Sequence, residues 1–176
     1  MKNILLTGSP GIGKTTIVKK VLEFIKVSAG GFYTQEILRG GTRVGFEIVT
    51  LKGEKAPLAH MDVRSRYKVG SYGVILDNLE KVAVGSLKNA LRENSVIVID
   101  EIGKMELFSE EFKKTVLLCL DSERIVLATV TEAKIPFAEE ILKRDDVDIF
   151  HITTKNRNTI GEDLKKIIWE MVKEVL

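Results

Sequence analysis

A glycine-rich segment near the amino terminus carries the residues best suited to chemistry. It reads Gly8-Ser9-Pro10-Gly11-Ile12-Gly13-Lys14-Thr15 and fits G-x-x-x-x-G-K-[ST], in which glycines let backbone N–H groups turn inward around phosphate oxygens. The lysine acts as a point charge on the β- and γ-phosphates, and the hydroxyl after it ligates Mg²⁺. We predict that this phosphate loop binds a nucleoside triphosphate, with Lys14 catalytic and Thr16 contacting the α-phosphate.

A second candidate site follows the longest β-branched run. Val96-Ile97-Val98-Ile99 is typical of a strand buried on both faces, and Asp100-Glu101 come directly after it. A carboxylate at the end of such a strand can hold the shell of a Mg²⁺ ion, and a second acid can accept a proton from attacking water. We predict that Asp100 and Thr15 serve the metal and that Glu101 is the general base.

The rest of the sequence predicts the strands and helices that position these residues. Short apolar runs alternate with amphipathic segments, which is typical of a parallel sheet with helices on both faces. The tandem acid favours the class of phosphate-loop ATPases in which an extra strand lies between the phosphate-loop strand and the acidic strand. We predict that residues 125–130 form this extra strand. At its carboxyl end, Thr129 or Thr131 could orient water or sense the γ-phosphate. The other predicted elements are strand 3–7, helix 15–26, helix 136–144 and strand 148–152.

The stretch from about 30 to 72 breaks this rhythm. Its short apolar runs are separated by Gly40-Gly41 and Lys52-Gly53, which are typical hairpin turns. A length of 176 residues is typical of one domain. We therefore predict a single domain spanning 1–176, with a mostly parallel sheet and an antiparallel β-hairpin extension within it.

Composition narrows the function classes. The 27 Lys and Arg against 25 Asp and Glu leave a net charge of +2, so we expect neither a nucleic acid nor a membrane surface as partner. The single cysteine, Cys119, excludes an internal disulfide, and no apolar run reaches the roughly 20 residues that cross a bilayer. We expect a cytoplasmic monomer. High Lys and Glu with one glutamine, Gln35, favours a heat-adapted source.

Phosphoryl transfer also requires a cation near the γ-phosphate. Five lysine and arginine side chains could supply this cation, and their positions in the sequence do not show which of them does: Lys104, Arg64, Arg66, Arg144 and Arg157.

Several stretches together resemble the thermophilic-type nucleoside-triphosphate phosphohydrolases, the family that includes the cancer-related nucleoside triphosphatase. They are the phosphate loop, residues 31–36, residues 43–49, the block Asp-Glu-Ile-Gly-Lys-Met-Glu-Leu within 96–107, and Asn156-Arg157-Asn158, where Asn158 replaces a family acid. The resemblance implies a three-layer RecA-like α/β domain and Mg²⁺-dependent hydrolysis of triphosphates of several bases to diphosphate and phosphate. It also implies Glu101 as the base and Lys104 and Arg157 as nucleotide contacts.

Two alternatives share this fold and loop. A small nucleotide or metabolite kinase could use Arg64 and Arg66 for an acceptor phosphate, and a regulatory switch could signal its nucleotide state to a partner. Asp100-Glu101-Ile102-Gly103 fits the D-x-x-G of GTP-binding switches. We also predict that Ile102 and Gly103 belong to the nucleotide site. The sequence lacks the N-K-x-D that reads guanine, which disfavours a dedicated guanine switch.

Overall fold

A nine-stranded sheet lies at the centre of the computed structural model, which describes residues 2–175. The strands are β1 (Asn3–Thr7), β2 (Ala29–Arg39), β3 (Thr42–Thr50), β4 (Lys55–His60), β5 (Lys68–Val69), β6 (Tyr72–Val74), β7 (Val96–Ile102), β8 (Ile125–Val130) and β9 (Val147–His151). The helices are α1 (Lys14–Phe24), α2 (Leu76–Asn78), α3 (Gly85–Glu93), α4 (Glu110–Asp121), α5 (Pro136–Leu142) and α6 (Ile160–Val175), with a π-helical segment Leu79–Val84 joining α2 to α3.

The central strands are covered on both faces, as their apolar sequences predict. In β1, Ile4 and Leu6 pack in a cluster with residues of α1 and α6. Leu5, which points to the other face, packs with residues of α3 and α4. Successive strand residues point to opposite faces, so a strand buried by two helical layers is apolar throughout. The predicted three-layer α/β architecture is confirmed.

The parallel half of the sheet has the order β2-β7-β8-β1-β9. The strand at 125–130 pairs with β1 on one side and with β7 on the other, so its predicted place between the phosphate-loop strand and the acidic strand is confirmed. The carboxyl ends of all five strands lie at one edge of the sheet, where ligands of such sheets bind. The phosphate loop after β1 and the acids of β7 therefore share that edge.

The antiparallel extension is continuous with the parallel half. Over residues 29–32, β2 pairs in parallel with β7, and farther along it pairs antiparallel with β3. The strands β4, β6 and β5 then continue the same sheet. The strand β2 therefore belongs to both halves of the sheet. We call β2 to β6 the wing.

The junction between the halves depends on a glycine. Gly31 has a φ of 107°, and a Cβ there would lie 2.1 Å from the carbonyl oxygen of Val98 on β7. We expect Gly31→Ala to lower the free energy of unfolding by about 3 kcal/mol or more, because backbone strain and a steric clash add. Gly40→Ala is the matched control, since Gly40 has a φ of 58° but open space around it, and should cost about 1 kcal/mol. Urea denaturation measures both losses, and equal losses would contradict the steric role of Gly31.

The only cysteine of the chain lies on α4 and is fully buried. Burial raises the pKa of the Cys119 thiol to about 12, so the thiolate is disfavoured and the side chain serves as a core residue. Among the described residues, none of the helices has both the length and the apolar character needed to cross a bilayer.

Candidate active site

The phosphate loop owes its curl to three glycines. Gly8, Gly11 and Gly13 have φ values of 144°, 76° and 113°, a backbone region that glycine adopts far more readily than other residues. At Gly8 a side chain would also meet the carbonyl oxygen of Ile152, 2.7 Å from the Cβ position. The predicted motif therefore has the backbone shape that lets N–H groups converge on an anion.

Lys14 is the first residue of α1 and lies inside the loop. Its side chain is buried, and Nζ donates hydrogen bonds to the carbonyl oxygens of Gly8 at 2.6 Å and Ser9 at 3.4 Å. The preceding residue, Gly13, makes no side-chain cap, so the first N–H groups of the helix remain available to a ligand. The ammonium group and the helix amino terminus together form an anion site.

The acidic pair lies where the pairing of β7 with β8 loses its register, between Ile99 and Ile102, and the peptide bond joining the two acids is cis. Asp100 is 1% exposed. Its Oδ1 accepts a hydrogen bond from the Thr129 hydroxyl at 2.5 Å, whereas its Oδ2 is buried without a well-formed hydrogen bond. Burial raises the pKa of Asp100, and the hydroxyls of Thr129 and Thr15 and the charge of Lys14 lower it. One carboxylate oxygen beside Thr15 is thus left for another ligand.

Glu101 differs from its neighbour because it faces a cleft. The side chain is half-buried, and burial raises the pKa of its carboxyl group, against the lowering effect of Lys14. A carboxylate with a raised pKa accepts a proton more readily, which suits a general base. The predicted base and the predicted phosphate-binding lysine therefore line one space.

That cleft lies between the phosphate loop and the wing and has a volume of about 780 Å³. Its lining from the loop comprises Pro10, Gly11, Gly13, Lys14, Thr15 and Thr16. The β7 end supplies Glu101, Gly103, Lys104, Met105 and Glu106, and the β8 end supplies Thr131. The wing supplies Thr34, Gln35, Glu36, Arg43, Phe46, Leu58, Val69, Gly70 and Tyr72.

Of the five candidate cations, the structure places Lys104 in the cleft lining. It forms no ion pair with another residue of 2–175. Arg144 is bonded to Asp121 and Asp146, near the amino ends of β8 and β9 and therefore at the opposite edge of the sheet.

The three remaining cations lie outside the cleft lining. Arg66 donates to the hydroxyl of Tyr67, and Arg64 is exposed on the same segment. Arg157 is exposed in the turn after β9, on the side of β1 away from β7. Lys104 is therefore the candidate cation whose side chain shares the cleft with Glu101.

Two predicted positions differ from expectation. The side chain of Ile102 belongs to the hydrophobic core and is fully buried, so it does not line the cleft. Thr129 is also fully buried and is committed to Asp100, whereas Thr131 lines the cleft. The hydroxyl oxygen of Thr131 accepts a hydrogen bond from the N–H of Ala133 at 3.2 Å. Of the two threonines, Thr131 is therefore the one that faces the cleft.

Glu106 and the aromatic wall of the wing are two features of the cleft that the sequence did not predict. Glu106 is 4% exposed, although it carries an ionisable group. On the wing, Phe46 and Tyr72 pack edge to face at 5.3 Å, and the guanidinium of Arg43 lies over both rings. In the sequence, the position of Glu106 between the apolar residues Met105 and Leu107 is a weak indication that its side chain is buried. The aromatic wall joins residues from separate strands, so no local pattern reveals it.

A phosphate loop after β1, an acidic pair on β7 and one strand between them define a RecA-like P-loop NTPase. Residues 3–165 match the sequence pattern of the NTPase family. Nucleoside-triphosphatase THEP1 of Thermotoga sp. (strain RQ2) is 47% identical, over 94% of each chain. The human cancer-related nucleoside-triphosphatase is 40% identical, over 93% of this chain and 94% of that protein.

Two solved structures agree with this likeness. The crystal structure of THEP1 from the hyperthermophile Aquifex aeolicus has a TM-score of 0.85 and 39% identity, covering 92% of this chain and 96% of that one. The solution structure of a human cancer-related nucleoside triphosphatase has a TM-score of 0.82 and 39% identity, covering 96% and 97%. The chain belongs to the NTPase family.

Proposed function

We propose that the protein hydrolyses nucleoside 5′-triphosphates to diphosphates and phosphate, that it requires Mg²⁺, and that it accepts several bases. The observation that carries the proposal is that Lys14 of the phosphate loop and Glu101 of β7 line the same cleft. The first can hold the β- and γ-phosphates, and the second can accept a proton from water. The names of the THEP1 and human relatives support the same activity.

The residues around Asp100 fit a Mg²⁺ ion. The buried Oδ2 of Asp100 lacks a hydrogen-bond partner, and the Thr15 hydroxyl lies near the same carboxyl group. Within residues 2–175 no group of three or more His, Cys, Asp or Glu side chains could hold a metal, but Mg²⁺ needs no such group, because it keeps water and uses substrate phosphates. Thr15 and Asp100 would hold the ion, and when bound it neutralises charge on the β- and γ-phosphates.

The chain's own groups account for the remaining chemistry. The N–H groups of the loop and Lys14 hold the phosphates, so that water between the γ-phosphorus and Glu101 can attack in line. Glu101 takes a proton from the water as its oxygen bonds to phosphorus. The bond from the γ-phosphorus to the β–γ bridging oxygen breaks, and the diphosphate leaves with that oxygen. Lys104 stabilises the charge on the transferred group.

We propose that the nucleoside lies on the side of β1 away from β7. The γ-phosphate points towards Asp100 on β7, so the nucleoside extends to the other side of β1, towards β9 and the turn carrying Arg157. Thr16, Arg157 and Asn158 are all exposed. An open surface discriminates weakly among bases, because it leaves few polar groups unpaired when the wrong base binds.

We expect Lys104→Ala to lower kcat about 100-fold and to change KM less than about three-fold, because a cation acting on developing charge contributes mainly in the transition state. Steady-state phosphate release measures both constants. Lys173→Ala, which removes an exposed lysine on α6, is the matched control. An unchanged kcat in Lys104→Ala would remove Lys104 from this role.

The proposal as a whole is tested by phosphate release from ATP, GTP, CTP and UTP, with Mg²⁺ or with EDTA. We expect release from all four with Mg²⁺ and almost none with EDTA. A kinase would instead release little phosphate alone and would phosphorylate an added nucleoside or nucleotide. A switch would turn over slowly until a partner was added. Either result would contradict the proposed hydrolase.

A further inference from the structure

Glu106 lies beside the proposed base although it is five residues away in the chain. It opens the short 3₁₀ segment Glu106–Phe108, directly after the turn that carries Gly103 and Lys104. The position of a Cβ on Gly103 would be 2.9 Å from Oε1 of Glu101 and 3.0 Å from Oε2 of Glu106. The two carboxyl groups therefore pack against the same glycine, with those oxygens no more than about 6 Å apart.

Within residues 2–175, the Glu106 carboxyl group is not held by an ion pair with a lysine or an arginine. The acids that act on it are Glu101 and Asp100 of β7. The helix α4 packs on the same segment, and two acids of its first turn are paired elsewhere, Glu110 with Lys113 and Glu111 with Lys88.

This environment determines which of the two glutamates holds a proton. Burial and the charge of Glu101 raise the pKa of Glu106 well above its ordinary value, against the effect of the N–H groups of Gly103 and of Glu106 itself. Two neighbouring carboxyl groups seldom ionise together in such a site. Glu106 is 4% exposed and Glu101 is half-buried at the cleft, so Glu106 is the more strongly desolvated of the two.

We propose that Glu106 is a positioning residue that acts as a neutral carboxylic acid, holding the turn 102–106 so that Glu101 and Lys104 both face the γ-phosphate. The inference rests on the proposed function, because it takes Glu101 as the base. A neutral acid fills the space behind the turn without placing a second negative charge beside the base. An ionised Glu106 would repel the triphosphate and would increase the proton affinity of Glu101.

The test compares Glu106→Gln, which keeps the shape and is neutral at every pH, with Glu106→Ala, which removes the side chain. At pH 7.5 we expect Glu106→Gln to keep kcat within about three-fold and Glu106→Ala to lower kcat more than about ten-fold, with KM within three-fold in both. Glu110→Ala removes a neighbouring exposed glutamate and is the control. Circular dichroism melting checks that each variant is folded at the assay temperature.

A pH series supplies a readout that packing alone would not change. As pH rises and Glu106 ionises, the KM of the natural protein for MgATP should increase, whereas the KM of Glu106→Gln should stay flat. A second variant, Gly103→Ala, puts a methyl group between the two carboxyl groups and should lower kcat about ten-fold.

The outcomes separate the inference from the proposed function. If Glu106→Gln is as inactive as Glu101→Gln, the neutral acid is wrong and an ionised Glu106 is needed. If Glu106→Ala keeps its kcat, Glu106 positions nothing. Should Glu106→Ala fail to fold, the pH series on Glu106→Gln still decides, because parallel KM profiles would overturn the inference. Normal turnover in Glu101→Gln would instead overturn the assignment of the base.

Discussion

Glu101→Gln lowers kcat for phosphate release about 10³-fold and leaves KM for MgATP within a few-fold, if Glu101 is the general base. The amide keeps the size of the side chain but cannot accept a proton from water at neutral pH. Because Asp100, Thr15 and the phosphate loop are untouched, nucleotide binding is preserved. Steady-state phosphate release gives kcat, and equilibrium titration with a fluorescent triphosphate gives the affinity.

The same residue predicts the acid limb of the pH profile. Burial raises the pKa of Glu101, and a general base acts only in its ionised form. Activity is therefore present above this raised pKa and is lost as pH falls through it, so the limb lies above the ordinary range for glutamate. In Glu101→Gln this limb should disappear from the residual rate.

Glu123→Gln is the matched control for this substitution. Glu123 is an exposed glutamate near the opposite edge of the sheet, before β8, and its replacement should leave kcat unchanged. Turnover in Glu101→Gln equal to that of the natural protein would show that another group accepts the proton.

Lys14→Ala should lower activity about as much as Glu101→Gln, but through both kcat and KM. We expect kcat/KM to fall about 10³-fold or more, with KM rising as kcat falls, because the ammonium group contacts the phosphates both in the bound substrate and in the transition state. The buried Nζ lies inside the loop, 2.6 Å from the carbonyl oxygen of Gly8. Initial rates over a range of MgATP concentrations measure the effect.

Two further variants test whether the loss of activity is specific to the ammonium group of Lys14. Lys20→Ala removes an exposed lysine from the same helix and should keep kcat/KM within about two-fold. Lys14→Arg keeps the charge but brings a planar, wider group, and should recover little activity because the loop is closed around a single nitrogen. Full activity in Lys14→Arg would mean that charge alone is needed at this position.

The comparison of prediction with structure is clearest in individual segments. The strands at 3–7 and 125–130 were predicted at the bounds observed, because each is a short apolar run that both helical layers bury. No element was predicted over residues 76–93, where α2, the π-helical segment and α3 follow one another. The strand β2 was predicted only as part of a hairpin, because its pairing with β7 joins residues nearly 70 positions apart.

In the site, too, the features formed by consecutive residues were predicted and the contacts between distant strands were not. The roles of Gly8, Lys14 and Glu101 were predicted from local spacing, since a phosphate loop and an acid at a strand end are local structures. The partner of Thr129 was not, because its hydroxyl meets Asp100 from another strand. Arg144 was an open candidate until the fold placed it at the opposite edge of the sheet.

The sequence by itself predicts how a near-neutral chain binds a highly charged ligand, through one loop, one helix end and one lysine, because backbone curl, helix start and charge are all properties of consecutive residues. The tertiary structure decided which side chains share the cleft and which are buried. It placed Lys104 in the cleft and Arg144 at the opposite edge of the sheet, committed Thr129 to Asp100 and buried Glu106 beside Glu101. Those outcomes depend on strand order and on exclusion of water by distant segments, which no local pattern encodes.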